Sequence, residues 1–390
     1  MMEKKSKNIA IFTHFRFWQK GQGADIRIAR QFELFDKEQK FLIFYGKLSK
    51  KEKKIIINQY GVKSIFTFQS KRIELIRYFR KFLSIIYLNR FYTLRKPFTV
   101  PKRYKKMVDQ FLEKNSIDIV LCNYIWMSDL FNFKSNKMYY KVIETHDSQY
   151  LFCKQNLEIN KKWTSFVTEE DEFQILKGFD MVLAVSTFDY QYFSRKLNNV
   201  FYLPWTVPLN YIMPTEREVL NIGFIGGKML FNSNSVKWFI QNVFSFLEKG
   251  KYVLNIYGNV CKLLLAEGKI DGVRLHGFIE NSEEIYSNND IMINPVSITG
   301  GIKTKNVECL AHGVPLMTTS MGSKGLEMGI NLQAFFVSDD QNDWIDEIIK
   351  LNELSYREQM GRKGYQFASQ YFSNEYEEKF INTVKNNLLK

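Results

Sequence analysis

The sequence predicts an α/β protein with two domains, each built around a mostly parallel β-sheet. Short apolar segments alternate with helical segments along the 390 residues, as in doubly wound α/β folds. The strand segments are near-continuous apolar runs, which is typical of parallel strands covered on both faces. The alternation starts again after a segment at residues 202–208 that contains two prolines, so we place a linker there.

Each element is predicted from its local pattern. In the first half, apolar runs predict strands at residues 9–13, 41–45, 117–122, 141–144 and 181–186. A helix is predicted at residues 26–35, after a glycine-containing loop. In the second half, strands are predicted at residues 221–225, 254–257, 291–293 and 316–319. We therefore expect two Rossmann-like domains that face each other across a cleft, with ligands at the carboxyl ends of the strands.

The most informative segment is residues 277–326. A short buried strand ends at Pro295, and Gly300 and Gly301 allow a tight turn before a helix that begins at Ile302. The free amide groups at the N-terminus of such a helix point toward the loop, where an anion can bind. The pattern therefore predicts a phosphate site at this loop.

The predicted helix has two different faces. Gly301, Lys305 and Glu308 recur at spacings of four and three, so they share one face, with Thr304 beside them. The neighbouring face is an apolar stripe of Val307, Leu310, Ala311 and Val314. Lys305 offers a cation to phosphate oxygens, and Glu308, which only accepts hydrogen bonds, suits a vicinal diol such as a ribose. An ordinary βαβ unit with a solvated Lys–Glu pair would explain either residue alone.

The ordered motifs of this segment are Gly277-Phe278-Ile279, Asn294-Pro295, Gly300-Gly301, Lys305-Asn306-Val307-Glu308, Gly313-Val314-Pro315 and Gly322-Ser323-Lys324-Gly325-Leu326. In this order they resemble the donor-binding half of the retaining glycosyltransferases of family four, which have the GT-B fold. The resemblance implies a nucleotide-diphosphate sugar as donor and retention of configuration by same-face attack without an enzyme nucleophile. It also implies an acceptor-side domain at residues 1–205, a donor-binding domain at 206–372, and a C-terminal helix at 373–390 that packs back on the first domain.

The resemblance also assigns site residues. For donor binding in the second domain it implies Gly227, Lys228, Asn234, Gly258, Phe278, Ile279, Gly300, Gly301 and Thr304, with Lys305 and Glu308 in catalytic positions. Close backbone approach and one cation suit Gly227 and Lys228 to phosphate, while Phe278 and Ile279 stand where the family holds the base. A surface lysine beside a glycine turn, and core packing of the apolar pair, are the alternatives.

In the first domain, Gly21 and Gly23 resemble the acceptor-side glycine loop of the family, although a glycine loop often only turns the chain. Polar residues follow the strand at 141–144 directly, which places them at its carboxyl end. Among them, His146 resembles the family histidine near the transferred sugar and is predicted to be catalytic, with Asp147 in substrate binding. A lone histidine is more often structural.

Two positions depart from the family pattern. Many members carry a glutamate on sugar hydroxyls where this chain has Gly300, and many place an arginine on the diphosphate in the loop after Ile225. Lys228 and Lys305 must then supply most of the local positive charge. The sequence also lacks an Asp-x-Asp triplet, so we expect no metal and no cofactor besides the donor substrate.

Positive charge is concentrated in the first half, where residues 1–205 contain 37 Lys and Arg against 20 Asp and Glu. Residues 71–106 contain twelve basic residues, one acid and interleaved aromatic residues. This composition suits an anionic membrane surface or a lipid-linked acceptor. Nucleic acid ranks lower as a partner and is not expected, and a packed helix with a solvated charged face would also explain the pattern. The acidic run Glu169–Glu172 is interpreted as a solvated helix face.

Four cysteines without CxxC spacing argue against a zinc site or a disulfide framework and favour a reducing compartment. No run approaches the length of a membrane span, and the polar, basic start does not resemble a signal peptide.

We expect a cytoplasmic protein, peripheral on the membrane, that transfers a sugar to a glycan or lipid-linked acceptor in surface polysaccharide or glycoconjugate synthesis. A non-catalytic GT-B partner or chaperone of an active transferase is the alternative, motivated by the two departures. The donor base, the acceptor and the oligomeric state are not predicted.

Overall fold

The computed structural model describes residues 7–19, 23–71, 73–75, 99–131, 139–159, 167–265, 268–297 and 302–387. The chain divides into two compact units. Unit 1 contains Met1–Leu203 and Glu377–Lys390, and unit 2 contains Pro204–Tyr376. The predicted site residues Gly21, Gly300 and Gly301, and most of the basic stretch at 71–106, lie outside the described residues.

Unit 1 contains a parallel sheet, whose described strands are β1 (Asn8–Thr13), β2 (Gln39–Tyr45), β3 (Val62–Phe68), β4 (Ile119–Asn123), β5 (Tyr140–Glu144), β6 (Met181–Ala184) and β7 (Val200–Tyr202). Their order is β3-β2-β1-β4-β5-β6-β7, and every pair is parallel. Phe12, Ile43 and Val120 of the central strands are fully buried in the unit 1 core. The apolar runs of the sequence are therefore buried on both faces of this sheet.

The described helices of unit 1 before the linker are α1 (Gly23–Leu34), α2 (Lys50–Tyr60), α3 (Lys102–Lys114), α4 (Gln149–Ile159), α5 (Glu169–Leu176) and α6 (Thr187–Ser194). Local chemistry fixes the ends of α2. Ser49 and Glu52 form a capping box at its N-terminus, and Gly61 ends it with φ of 64° in the left-handed region.

Unit 2 contains a second parallel sheet, whose described strands are β8 (Leu220–Ile225), β9 (Tyr252–Tyr257), β10 (Val273–Gly277), β11 (Ile291–Asn294), β12 (Leu316–Thr318) and β13 (Phe336–Val337). Their order is β10-β9-β8-β11-β12-β13, again with parallel pairs throughout. The described helices are α7 (Leu230–Asn242), α8 (Cys261–Leu264), α9 (Ser282–Ser287), α10 (Thr304–Ala311), α11 (Glu327–Asn331), α12 (Gln341–Lys350) and α13 (Leu354–Tyr371).

The strand order reverses once in each sheet. In unit 1, β1 lies between β2 and β4, so the reversal falls between β1 and β4. In unit 2, β8 lies between β9 and β11, so the reversal falls between β8 and β11. Connections leave the sheet on opposite faces at such a point and open a crevice at the carboxyl ends of the strands. Each unit therefore offers one topological position for a ligand.

A long helix supports α10 in unit 2. Gly361 and Gly364 of α13 lie against Gly313 and Leu310, and a Cβ at these glycines would collide with the Gly313 carbonyl oxygen and the Leu310 side chain, respectively. The apolar stripe predicted for α10 is buried, since Val307, Leu310 and Ala311 have no exposed surface. Helix α10 is therefore held firmly on both its sheet side and its α13 side.

The last helix, α14 (Glu375–Asn387), packs on unit 1 from Glu377 onward. Phe380 is 1% exposed and contacts Phe35 and Phe201, with ring centroids 5.8–5.9 Å apart. Arg30 donates two hydrogen bonds to the Glu377 carboxylate, at 3.0 and 2.6 Å. A buried aromatic contact and a bidentate ion pair therefore anchor the C-terminal segment.

Sequence and structure differ mainly at the sheet edges. The central strands agree within about two residues, but β3, β7, β10 and β13 were not predicted. These four strands are the edges of the two sheets. An edge strand is buried less completely, so residues such as Lys63 and Arg274 interrupt its apolar pattern. Helix α10 begins at Thr304 rather than the predicted Ile302, and α14 begins at Glu375 rather than near Ser373.

All four cysteines are buried. Among the described residues, no helix is long and apolar enough to cross a bilayer.

Removal of the Phe380 ring tests the anchoring of α14. We expect Phe380→Ala to lower the free energy of unfolding of unit 1 by about 3–5 kcal/mol, because it leaves a cavity against Phe35 and Phe201. Chemical denaturation followed by circular dichroism measures this change. The matched control is Asn382→Ala on the exposed side of the same helix, which we expect to change stability by less than about 0.5 kcal/mol. Equal effects of the two variants would contradict the anchoring role.

Candidate functional site

The candidate site of unit 2 lies at the reversal between β8 and β11. Helix α10 starts here, and its N-cap residue Lys303 makes no side-chain capping hydrogen bond. The Lys305 ammonium donates a hydrogen bond of 3.0 Å to the backbone carbonyl of Ile225, the last residue of β8. It also lies 4.3 Å from the centroid of the Phe224 ring. Lys305 belongs to the helix that follows β11, but its ammonium group lies at the carboxyl end of β8.

The charged end of Lys305 is poorly solvated although the side chain keeps some exposed surface. Burial, assisted by the neighbouring cation of Lys303, lowers the pKa of Lys305 to about 7. A carbonyl oxygen and an aromatic face are weak counterparts for an ammonium group. The site would therefore gain free energy from an anion placed beside Lys305.

Glu308 lies one helical turn after Lys305. Its Oε2 accepts a hydrogen bond of 3.0 Å from the Tyr286 hydroxyl, which is also 3.3 Å from the Lys305 carbonyl oxygen. Burial raises the pKa of Glu308 to about 7, against the opposing effect of the Tyr286 hydrogen bond. A carboxylate held with one oxygen on Tyr286 has a second oxygen with which to accept from a ligand hydroxyl. The structure thus brings the two predicted catalytic residues of α10 to one region, with Thr304 at the first helical position.

The loop after β8 closes against the loop after β9. The Gly226 amide donates to the Tyr257 carbonyl at 3.0 Å, and the Val260 amide donates to the Gly226 carbonyl at 3.1 Å. Gly258 has φ of 89°, and a Cβ there would collide with the Gly226 carbonyl oxygen. Gly258 therefore lets two strand-end loops touch, rather than offering an open surface of its own.

Gly227 and Lys228 occupy an open part of the same loop. A Cβ on Gly227 would meet no atom within 4 Å, and Lys228 is exposed. Asn234 is also exposed and lies in α7. The residue that holds this loop is the buried Asn232, whose Nδ2 donates to the Gly227 carbonyl at 3.1 Å. Asn232 was not predicted, because the Asn-Ser-Asn sequence offers two equivalent amides and only burial separates them.

Phe278 and Ile279 follow β10, the next strand of the sheet. The Phe278 ring is 58% exposed, whereas Ile279 is partly buried against the unit 2 core. The Gly258 amide donates to the Gly277 carbonyl at 2.6 Å, which ties this loop to the loop after β9. An exposed ring beside a constrained loop is chemically suited to stack on a planar base.

Asn294, the last residue of β11, is fully buried, and neither side-chain atom has a hydrogen-bond partner among the described residues. The sequence places Asn294 in the Asn294-Pro295 motif but does not identify it as a site residue. Its position at the carboxyl end of a central strand is the pattern that would have identified it.

In unit 1, the candidate residues lie at the carboxyl ends of β4 and β5. Glu144 is completely buried and accepts a hydrogen bond of 2.7 Å from the Arg27 Nε. Burial would raise the pKa of the Glu144 carboxyl, but the Arg27 guanidinium, His146 and hydrogen bonds from Arg27 and Gln31 together lower it. Arg27 and Gln31 project from α1 at a spacing of four, so one helix face delivers a cation and an amide to the same carboxylate.

His146 is 9% exposed and has φ of 61°, in the left-handed region. Its Nε2 is 2.8 Å from Asn123 Oδ1, and its ring stacks on Tyr124 with centroids 4.1 Å apart. Burial lowers the pKa of His146 to about 4, opposed by Glu144 and reinforced by Arg27. The histidine is therefore neutral at physiological pH.

The structure describes two other predicted site residues of unit 1. Gly23 is the first residue of α1, and Asp147 is half-buried beside His146.

The interpretation of the acidic run as a solvated face is wrong for Glu172, which is fully buried. Its carboxylate accepts hydrogen bonds from the Ser148 hydroxyl at 2.8 Å and the Gln149 amide at 2.6 Å. Glu172 thus occupies the N-terminus of α4 and leaves that helix end unsuited to a second anion.

Comparisons with known proteins agree with this architecture. Residues 220–353 match the family model described as Glycosyl transferases group 1. No curated protein has a sequence that matches the chain significantly.

Three solved structures illustrate the similarity of fold. Sucrose-phosphate synthase from Thermosynechococcus elongatus has 11% identity and a TM-score of 0.68, covering 98% of this chain and 99% of that chain. A glycosyltransferase from Rickettsia africae ESF-5 has 13% identity and a TM-score of 0.67, covering 99% of both chains. Anabaena HepE in complex with UDP and glucose has 11% identity and a TM-score of 0.66, covering 97% of this chain and 99% of that chain.

At such identities these structures establish the fold alone. The predicted fold class, with two Rossmann-like domains and a C-terminal helix on the first, is confirmed. Residues 220–353 therefore match the Glycosyl transferases group 1 model, and the chain shares the GT-B fold of these solved structures.

Proposed function

We propose that the chain is a retaining glycosyltransferase that moves a sugar from a nucleotide-diphosphate donor to a glycan or lipid-linked acceptor. The observation that carries this proposal is the placement of Lys305 and Glu308. Both are poorly solvated charged groups on one helix, at the strand reversal of the group 1 domain. A structural ion pair would place such groups on each other, whereas each of these contacts a neutral partner instead.

The diphosphate is assigned to the start of α10. No side chain caps the N-terminus of this helix, and the Lys305 ammonium donates to a neutral carbonyl oxygen. A bound phosphate would provide the negative charge that both groups favour. Gly227 leaves room for a ligand against the loop after β8, and Lys228 is exposed at the same loop. In this arrangement Lys305 and Lys228 stabilise the negative charge that the leaving nucleotide diphosphate develops.

The nucleoside is assigned to Glu308 and Phe278. A ribose diol would donate to the Glu308 carboxylate, and the exposed Phe278 ring would stack on the base. The complex of Anabaena HepE with UDP and glucose supports this class of donor. A thermal-shift panel of sugar nucleotides distinguishes the base and the sugar of the donor.

The transferred sugar and the acceptor are assigned to unit 1, with His146 and Asp147 as binding residues. A neutral histidine is suited to hydrogen bonding with sugar hydroxyls rather than to pairing with phosphate. The oxocarbenium-like transition state expected at an anomeric centre would be stabilised by the departing diphosphate on the same face. We infer retention without a metal or an enzyme nucleophile, and a peripheral location at the cytoplasmic side of a membrane.

A thermal-shift panel of UDP, GDP, CDP and ADP sugars tests the donor assignment. A ligand that binds only the folded state raises the melting temperature, and at a given concentration the shift grows with the logarithm of its affinity. We expect one base to give a clear shift with the wild-type chain. Binding without sugar turnover would instead support a non-catalytic GT-B partner, whereas turnover measured by mass spectrometry would exclude it.

Lys305→Met separates ligand binding from stability. We expect donor affinity to fall by about tenfold or more, because a charge-assisted hydrogen bond of about 1.5–3 kcal/mol is lost. We also expect the melting temperature of the free protein to rise by roughly 2–4 °C, which corresponds to about 1 kcal/mol in a domain of this size. Calorimetry and thermal unfolding measure the two quantities.

The control for this variant is Lys262→Met, which removes an exposed lysine of α8. It should leave both affinity and stability nearly unchanged. If Lys305→Met lowered stability and left affinity intact, Lys305 would be a structural residue.

The pH dependence of donor binding follows from two opposite shifts. The Lys305 cation is present below its pKa of about 7 and is lost as the pH rises. The Glu308 carboxylate forms only above its pKa of about 7 and is lost as the pH falls. We therefore expect donor affinity to be bell-shaped, with a maximum near neutral pH.

Calorimetric titration with a sugar nucleotide from pH 5 to 9 measures this profile. Glu308→Gln should remove the acid limb, and Lys305→Met should remove the alkaline limb. An unchanged bell in both variants would show that other groups titrate on binding.

A further inference from the structure

Two residues that stack on each other at the carboxyl ends of β4 and β5 adopt the left-handed backbone conformation. Tyr124 follows β4 with φ of 65°, and His146 follows β5 with φ of 61°. Bulky side chains rarely adopt this conformation, and it persists only where the surroundings determine it. Here the two rings stack within 6° of parallel, and the Phe15 ring also stacks on Tyr124, with centroids 5.2 Å apart. The backbone and the stack together fix the position of the imidazole.

The orientation of the Asn123 amide is determined by a group that can only accept. Its Nδ2 lies 3.1 Å from the backbone carbonyl oxygen of Phe12, so this atom must be the NH₂ group. The same Nδ2 donates to Gln31 Oε1 at 2.8 Å. Asn123 Oδ1 is therefore the atom that faces His146, and it accepts.

The Gln31 amide is determined in the same way. Its Nε2 donates to the Glu144 carboxylate at 2.9 Å and to Asn123 Oδ1 at 2.9 Å. Glu144 is ionised, since its pKa is lowered, and a carboxylate can only accept. Gln31 and Asn123 thus form a reciprocal amide pair whose two ends are fixed by a backbone carbonyl and by Glu144.

This chain of bonds determines the proton on His146. Because Asn123 Oδ1 accepts, the imidazole Nε2 must donate across the 2.8 Å contact. Nδ1 lies 3.8 Å from Glu144 Oε1, whose charge Arg27 already neutralises. Asp25 and Asp147 act on the adjacent Tyr124, and burial keeps the imidazole neutral against these carboxylates.

We propose that Asn123 and Gln31 are positioning residues that hold His146 as the Nε2–H tautomer, so that Nδ1 alone is left to accept a hydrogen bond from a substrate hydroxyl. The assignment of a substrate rests on the proposed function, but the tautomer does not. In this form His146 orients a hydroxyl group and carries no charge into the reaction. It cannot release the Nε2 proton without breaking its bond to Asn123.

Nitrogen-15 NMR of the histidine rings tests the tautomer in the wild-type chain. The chain has four histidines, and His146→Gln identifies the signals of His146. We expect a protonated Nε2 and an unprotonated Nδ1 at pH 7. His312 provides an internal reference for the opposite pattern, because its Nδ1 faces the Glu308 backbone carbonyl at 2.7 Å. A protonated Nδ1 on His146 at pH 7, alone or together with Nε2–H, would overturn the proposal.

Asn123→Asp tests the positioning role. It keeps the shape of the side chain but places a negative charge beside Nε2, which favours the imidazolium. We expect the midpoint of the His146 titration to rise by about one to three pH units. Asn255→Ala is the control, because Asn255 makes the equivalent 2.8 Å contact to His276 in unit 2 and should alter His276 only. A His146 titration in Asn123→Asp that matched the wild type would contradict the role of Asn123.

The consequence for transfer is measured separately. With a donor found in the thermal-shift panel, Asn123→Asp should lower kcat by about tenfold with little change in donor KM, since the nucleoside and diphosphate of the donor are assigned to unit 2. An unchanged kcat with the expected NMR shifts would overturn the use of Nδ1 in the reaction. Failure of every sugar nucleotide to bind the wild-type chain would instead refute the proposed function and leave the tautomer result standing.

Discussion

The hydrogen bond from Lys305 to the Ile225 carbonyl is the interaction on which the candidate donor site depends. It joins the helix after β11 to the end of β8, and these are the two strands at which the order of the sheet reverses. Placing an ammonium group there is unfavourable, as the lowered pKa of Lys305 indicates. Apolar packing of Val307 and Leu310 beneath α10 stabilises the helix despite this cost. Binding of an anion would recover part of that free energy, which is the physical reason to regard this point as a ligand site.

The two units present different electrostatic environments at the carboxyl ends of their strands. In unit 2 the charged groups contact neutral partners, so the site is prepared for a charged ligand. In unit 1 the negative charge of Glu144 is paired with Arg27. The second Glu144 oxygen accepts from the Gln31 amide, which in turn accepts from the Asn123 amide. The result in unit 1 is a hydrogen-bonded polar edge on which His146 is neutral. A donor with two phosphates suits the first environment, and a sugar hydroxyl suits the second.

Much of this arrangement could be predicted from the sequence, and the remainder has identifiable causes. Lys305 and Glu308 were found because helical spacing places them together and opposite an apolar stripe. Edge strands such as β3 and β10 were missed because partial burial gives no apolar run. Arg27, Gln31 and Asn123 were missed because the partners that connect them are 92–176 positions away along the chain, apart from His146, which is 23 positions from Asn123, and only the folded sheet brings them together. Asn123 has one visible clue, a polar residue at the end of a buried strand, and Asn294 shares it. The buried role of Glu172 was not recoverable, because an acidic run at a helix start is ordinarily solvated.

We propose that a nucleotide diphosphate binds at the strand reversal of unit 2. Hydrogen–deuterium exchange with and without a saturating sugar nucleotide tests it directly, because bound phosphate protects the backbone amides that it contacts. We expect slower exchange at residues 225–232 and 302–309 on donor binding, with residues 144–150 unaffected by the nucleotide portion alone. Protection confined to unit 1, or unchanged exchange at the start of α10 under saturating ligand, would contradict the account.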